Sequence, residues 1–403
     1  MLHASGAGPD GLGVRPVGDQ GPPLDGIRVV DLASYIAGAY AAMMLADLGA
    51  QVVKVESLTG DPFRELPGFH GWNRGKRSVA VDLKAPQGRR VVEELAARGD
   101  VVIENMRPGA AERLGLGEAR LRAGNPRLVY CSVTGFGASG PYASRPAFDP
   151  VLQAMSGVMA LQGFGGPPQY LRIPVTDYYA AALAAQAVLA ALFVRERTGV
   201  AQRVETSLLH ASLALQSGSV VDYPDKPTGF RDNPSYRLYQ AADGEWLFLA
   251  CGNQAFWGKL CHALELPELT EDPRFASWLL RMDHCEALLP LLEAKFRSRP
   301  RAEWLTVLAA QDIPAAAVQS LADFMRDDPG LKHHDLLHHY EHPEVGPLTL
   351  MGQPLVFAAT RTRDPGPPPT LGQHTGEVLR ELGYEERAII DLGRRGIVAG
   401  HVS

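Results

Sequence analysis

Asp177 stands immediately ahead of an alanine-rich apolar run, Tyr178 to Val194, which reads as a helix stopping at Thr198-Gly199 behind Arg195 and Arg197. An aspartate at the head of a helix accepts from the exposed first-turn N–H groups, and the helix dipole favours its ionised form. Such a carboxylate is available as a nucleophile, and neighbouring backbone donors could stabilise an oxyanion formed beside it. The same position also suits an ordinary helix cap, so spacing alone leaves both readings open.

Other chemistry-bearing residues are more scattered. Arg74, Lys76 and Arg77 in WNRGKRS, with Lys84, Arg107 and Arg113, lie near the ends of predicted sheet elements. Open α/β sheets bind ligands in that crevice, although each cation taken singly reads as solvated surface charge. The histidine pairs His333-His334 and His338-His339 have no carboxylate or cysteine at ligand spacing, so no metal site is expected. Cys131, Cys251, Cys261 and Cys285 form no CxxC pair, which fits a reducing compartment. Cys131 follows a strand and reads as a buried structural thiol. No GxSxG elbow is present, which disfavours a serine hydrolase.

The elements that must position these residues alternate. Ile27–Leu32, Gln51–Glu56, Ser78–Leu83, Asp100–Glu104 and Arg127–Ser132 read as strands, with helices to about Leu48 and over Pro86–Arg98. Strands apolar on both faces and separated by helices predict a parallel sheet in a Rossmann-like α/β domain. Ala33-Ser34-Tyr35-Ile36-Ala37-Gly38 follows the first strand where a dinucleotide fold would carry GxGxxG, so neither nicotinamide nor flavin is expected. Asp222–Asn233 reads as a linker. A smaller α/β domain follows, with a strand at Glu245–Ala250 and helices near Gln254–Leu264, Cys285–Phe296 and Ala302–Ala310. The Pro- and His-rich stretch 329–370 lacks periodicity, and a helical pair, Thr375–Leu382 and Glu385–Leu392, closes the chain.

With 46% hydrophobic residues and 21% charged, the 403-residue chain has the composition of a soluble multidomain protein. Its net charge of −6 argues against nucleic-acid binding but not against a local anion site. The Gly- and Pro-rich N-terminus lacks a signal-peptide core. The run Tyr178–Val194 approaches membrane-span length, but its alanines, Gln186 and charged end favour a buried helix. A cytoplasmic location without membrane contact is expected.

The chain resembles the class III CoA-transferases, the CaiB/BaiF group. The resemblance rests on PLDGIRVVDLASYIAGAYAAMMLADLGAQVVKVE (23–56), NRGKRSVAVDLK (73–84), VVIENMRPGAAERLGL (101–116) and NPRLVYCSVTGFGASGPY (125–142). It continues through AFDPVLQAMSG (147–157), PVTDYYAA (174–181), RERTGVAQRVETSLLHA (195–211) and LGQHTGEVLRELGY (371–384). The resemblance implies that Asp177 is the nucleophile, attacking an acyl-CoA thioester to give an anhydride and then an enzyme–CoA thioester. It places CoA against Ala37, Val81, Asp82, Leu83, Lys84, Asn105, Met106, Arg107, Arg113 and Phe148. Asp149 matches an acidic position found beside the nucleophile in some members, and otherwise reads as a turn residue before Pro150.

The fold so implied is an interlocked homodimer of ring-like chains. Its expected parts are a disordered extension (1–22), a large domain (23–221), a linker (222–234), a small domain (235–328), a return linker (329–370) and a C-terminal segment completing the large domain (371–403). Two departures stand out: Ile36 replaces a Gln found in some members, and Ser57 an Arg. GFRDNPSYRLY (229–239) lacks the glycine run of formyl-CoA:oxalate enzymes, which disfavours oxalate. The rival reading of an acyl-CoA racemase requires a His where Phe148 stands, and a phenyl ring cannot move a proton. A non-catalytic acyl-CoA-binding role is the remaining alternative.

Overall fold

The computed structural model describes residues 21–163, 165–225, 232–334, 336–360 and 364–402. The expected N-terminal extension therefore lies outside the described residues except for its last two, as do positions 226–231 of the expected linker. The chain divides into two compact units: residues up to Asp222 with those from His334 onward, and Tyr223–His333.

In the first unit, β1 (Arg28–Asp31), β2 (Gln51–Glu56), β3 (Lys76–Val81), β4 (Val101–Glu104), β5 (Val129–Thr134) and β6 (Arg203–Ser207) run parallel. Between them lie α1 (Ala37–Asp47), α2 (Pro67–Asn73), α3 (Pro86–Arg98), α4 (Ala110–Arg113), α5 (Glu118–Gly124), α6 (Asp149–Met155), α7 (Val158–Gln162) and α8 (Val175–Thr198). After β6 comes α9 (Leu208–Leu215). Alternation sends Val29, Val101 and Ile103 to one face, against alanines of α1 and α8, and Val30 and Val102 to the other, against Val91 and Val92 of α3. The α1–α8 contact is built from Ala41, Ala42, Ala180, Ala181 and Ala184, whose small side chains let the helices approach closely. Helix α8 is long and apolar enough to cross a membrane by length and composition, but its Ala180–Ala184–Val188–Ala191 face is buried in this core.

The second unit pairs β7 (Tyr236–Gln240), β8 (Trp246–Ala250) and β9 (Ala315–Ala317) in an antiparallel sheet. It adds α10 (Gln254–Ala263), α11 (Trp278–Asp283), α12 (Cys285–Phe296), α13 (Arg301–Ala310), α14 (Leu321–Asp327) and α15 (Pro329–His334). Tyr239 stacks on Phe296 at 4.4 Å, and the Trp304 indole donates to the Phe296 carbonyl at 2.7 Å, anchoring its core.

Back in the first unit, β10 (Leu337–His342) and β11 (Gly346–Met351) form a hairpin where the sequence predicts no regular element. Its strands mix histidine, glutamate and threonine with few apolar residues, which hides the period-2 signal. Then α16 (Thr375–Leu382) and α17 (Glu386–Arg394) lead to β12 (Val398–Ala399), antiparallel to β3. The completed order is β12-β3-β2-β1-β4-β5-β6. Chain direction across the sheet reverses between β1 and β4, and ligands of open α/β sheets bind at the carboxyl ends beside such a reversal.

Buried charge pins the loop leaving β1. Asp31 accepts from Lys76 Nζ at 2.7 Å and from the Ala33 N–H at 2.9 Å. Lys54 donates to the Ala33 carbonyl at 2.8 Å and pairs with Asp61 at 3.0 Å. Burial pushes the Lys76 ammonium down to about 8, against the opposing pull of Asp31. Removing one partner of a buried pair strands the other in a dry site. The substitution Lys76→Met is expected to cost about 3–5 kcal/mol in urea unfolding at pH 7. A loss below about 1 kcal/mol, the scale of a surface pair, would contradict this account.

Candidate active site

The loop from Ala33 to Ala37 is held at successive residues. Asn105 accepts from the Ser34 N–H at 2.9 Å and donates to its carbonyl at 2.6 Å, and Asp61 accepts from the Tyr35 N–H at 3.3 Å. Tyr35 adopts a left-handed φ of 64°, unusual for an aromatic residue and sustained by these anchors. At Gly38 an added Cβ would lie 2.5 Å from the Ala33 Cβ, so the start of α1 can approach the end of β1 only without a side chain there.

At the sheet reversal opens a cleft with about 190 Å³ of water-accessible space. Tyr35, Ile36 and Ala37 line it from β1 and α1, and Asn105, Met106 and Arg107 from the loop after β4. Arg145 and Phe148 close it from the segment before α6, and Asp177 from α8. Phe63, Tyr35 and Phe148 form an aromatic wall with edge-to-face contacts at 5.0 and 5.6 Å. At Gly135 an added Cβ would fall 2.2 Å from the Ala147 Cβ, so two walls of the cleft meet there. A larger, more apolar hollow of about 430 Å³ lies beyond Tyr178 and Trp72. Its charged residues, Asp47 and Arg74, neutralise each other.

Helix α8 begins at Val175, earlier than expected, so Asp177 is not its cap but a first-turn residue. Pro174 stands just ahead of the first turn, where proline is tolerated, and marks this start. Asp149 supplies the cap from a distance. Its Oδ2 accepts from the Thr176 N–H at 2.7 Å, the Thr176 hydroxyl at 2.6 Å and the Asp177 N–H at 3.3 Å. The Val175 N–H is also engaged, by the Ile173 carbonyl at 2.7 Å. The first-turn donors of α8 are thus committed and do not face an oxyanion, contrary to the expectation from sequence. No side chain caps α1, whose first residue Ala37 lines the cleft.

The charge state of Asp177 also differs from the expectation of a dipole-favoured carboxylate. Burial, and secondarily the negative charge of Asp149, push its carboxyl up to about 7. Among the described residues, no hydrogen bond or ion pair reaches that carboxylate. It is therefore half protonated near neutrality and, once ionised, unencumbered.

The remaining sequence-selected residues separate. Asn105, Met106, Arg107, Ala37 and Phe148 meet Asp177 in the cleft, and Asp149 lies buried behind it. Val81 ends β3 inside the core, Asp82 and Leu83 follow it, and Lys84 is exposed beyond them, at the same carboxyl edge but outside the cleft lining. Arg113 ends α4 in an exposed position. Arg74, Lys76 and Arg77 are not free for an anion. Arg74 forks onto Asp47, Lys76 is buried on Asp31, and Arg77 pairs with Glu377 at 3.2 Å and Glu381 at 2.9 Å. They sit at the amino end of β3, away from the ligand edge. Cys131 is buried and its thiol pushed up to about 12, which leaves it inert. Sequence reasoning missed Tyr35, Phe63 and Arg145. The RPAFDP segment offered a signal, a cation three residues ahead of the Phe-Asp pair. No group of three or more metal-ligating side chains occurs among the described residues.

Comparison with known proteins decides the family: the model for CoA-transferase family III matches residues 24–375. The chain belongs to that family. This class III CoA-transferase is 34% identical over 402 residues to the succinyl-CoA:glutarate CoA-transferase of Mus musculus, covering 95% of this chain and 92% of that one. It is 32% identical over 381 residues to the succinyl-CoA–D-citramalate CoA-transferase of Chloroflexus aurantiacus, covering 89% and 94%. A CAIB/BAIF family protein from Brucella suis has a similar structure, with a TM-score of 0.79, 34% identity, and coverage of 90% of this chain and 100% of that one.

For a reaction that uses the Asp177 carboxylate as nucleophile, only the ionised form is competent, so kcat/KM for CoA exchange is expected to fall about tenfold per pH unit below about 7 and to level off above it. Asp149→Asn removes a charge that raises the Asp177 pKa, and is expected to move the acid limb to lower pH. An Asp149→Asn limb that coincides with wild type would show that Asp149 does not act on Asp177 electrostatically.

Proposed function

We propose that the protein moves CoA from an acyl-CoA donor to a carboxylic acid through covalent intermediates on Asp177. The Asp177 carboxylate attacks the thioester carbonyl, the C–S bond breaks, and CoA leaves as thiolate from an aspartyl acyl anhydride. The thiolate attacks the aspartyl carbonyl, releasing the donor acid and forming an aspartyl–CoA thioester. An incoming carboxylate attacks that thioester to give a second anhydride and thiolate. The thiolate takes the new acyl group and restores Asp177. The observation that carries this reading is an unpaired, half-buried carboxylate raised to about 7 in a cleft at the sheet reversal. Its raised proton affinity makes the ionised form a better nucleophile, and each step exchanges one activated carbonyl for another.

The uncapped start of α1 supports a role in holding negative charge on the thioester oxygen. Arg107 and Arg145 line the same cleft, and among the described residues neither is paired with a carboxylate. With relatives named for succinyl-CoA, these cations favour a dicarboxylic substrate class. The carboxyl-edge residues Val81–Lys84, Asn105–Arg107 and Arg113, with Ala37 and Phe148, are the proposed CoA contacts. Strand order supports a Rossmann-like reading of the first unit. Exposed Ile173, Phe193, Val200 and Val356 are apolar surface suited to cover by a second copy in a cytoplasmic homodimer.

Asp177→Ala is expected to reduce CoA exchange by at least about 10³-fold while leaving the far-UV CD spectrum and thermal unfolding intact. Hydroxylamine added to wild-type protein with succinyl-CoA is expected to convert Asp177 to a hydroxamate, seen by peptide mass spectrometry. In a panel of acids, glutarate and citramalate are expected to outrun hexanoate and benzoate. Exchange that persists in Asp177→Ala would overturn the reading.

A further inference from the structure

Gln153 lies one turn after Asp149 on α6 and is fully buried. Its Nε2 donates to Asp149 Oδ1 at 2.5 Å and to the Leu171 carbonyl at 3.0 Å, while its Oε1 accepts from the Leu171 N–H at 3.2 Å. Two acceptors on one side of the amide and a donor on the other fix its orientation. The carboxylate of Asp149 is thus divided. Oδ1 is held by Gln153, and Oδ2 by the Thr176 N–H, the Thr176 hydroxyl and the Asp177 N–H.

Every one of those donors is neutral. The negative charge is solvated by protein dipoles and, among the described residues, no cation pairs with it, so it acts on Asp177. Leu171 begins the short segment that enters α8, so the same amide also fixes where that helix starts. We propose that Gln153 is a positioning residue that keeps the Asp149 carboxylate aimed at the head of α8, beside Asp177, and thereby sets the pH at which Asp177 becomes a nucleophile. This rests on the role of Asp177 proposed above. Among the described residues, the other titratable or charged groups lining the cleft with Asp177 are Tyr35 from the loop after β1, Arg107 from the loop after β4 and Arg145 from the segment before α6. None is altered by a change at Gln153.

Without the amide, Asp149 Oδ1 loses its donor and the carboxylate is free to turn away from the head of α8. Asp177 then loses its like-charged neighbour. Gln153→Met is therefore expected to move the acid limb of kcat/KM to lower pH by roughly one unit. Gln153→Glu keeps the side-chain shape but adds an acidic group against Asp149, and is expected to move the limb to higher pH. A side chain that merely supports packing would lower the rate and leave the limb in place.

The decisive experiment measures kcat/KM from pH 5 to 9 for wild type, Gln153→Met, Gln153→Glu, Asp149→Asn and the Asp149→Asn/Gln153→Met double variant, using the fastest donor–acid pair of the panel above. Thermal unfolding checks each fold, and either single variant alone suffices to read the limb. The expected result is limbs displaced in opposite directions, with the Gln153→Met displacement abolished in the Asp149→Asn background. Limbs superposed on wild type, or a displacement that survives without Asp149, would overturn the inference while leaving Asp177 as nucleophile. Loss of that role is read separately, from Asp177→Ala.

Discussion

The carboxylate of Asp149 occupies the amino end of α8, and the character of the site follows from that contact. A helix start needs acceptors for its first N–H groups, and an anion there is favoured by the dipole as well. By meeting that need from α6, Asp149 leaves Asp177 free of capping duty and places a second negative charge beside it. Burial raises the proton affinity of Asp177 most, and a second carboxylate sharing the same helix end adds to the effect. The result is a carboxylate whose proton is lost near neutrality and whose oxygens, among the described residues, accept no hydrogen bond.

The scaffold makes this arrangement sustainable. Alanine-on-alanine packing of α1 against α8 holds the helix rigidly over the sheet, while Lys54, Asp31, Lys76 and Asp61 fix the loop after β1 opposite it. Those buried ions are costly to desolvate and are matched one to another by geometry, so they specify a loop conformation more than they add stability. Tyr35, held at positive φ, joins Phe63 and Phe148 in an aromatic wall. Such a wall sets apolar surface along the cleft that Asp177 lines.

Much of this was legible in the residues. The strands of the first unit are β-branched and apolar on both faces, so β2 and α3 emerge at the expected boundaries, the latter marked by Pro86. Harder elements lacked local signals. β9 is three alanines, residues with little strand preference, and is ordered by pairing with β8 across a long loop. β12 is two residues long and exists through β3. The site was legible in part: Asp177 stood out as an acid at a helix start and Asp149 through the family resemblance, but which one caps α8 depends on a contact across 28 positions of sequence. Lys76 was misread because a basic residue in a polar stretch gives no sign that Asp31 will bury it. Gln153 carries no distinguishing pattern, and only the fold brings it behind the cleft.

Oxygen tracing tests the central claim most directly. In the covalent route each turnover leaves one oxygen of the acceptor acid on the aspartyl carboxylate, because the anhydride is opened at the new acyl carbonyl. Turnover with ¹⁸O-labelled acceptor in ordinary water, followed by peptide mass spectrometry, should place ¹⁸O in the Asp177 carboxyl and in no other side chain. Sustained CoA exchange with that carboxyl unlabelled would contradict the account.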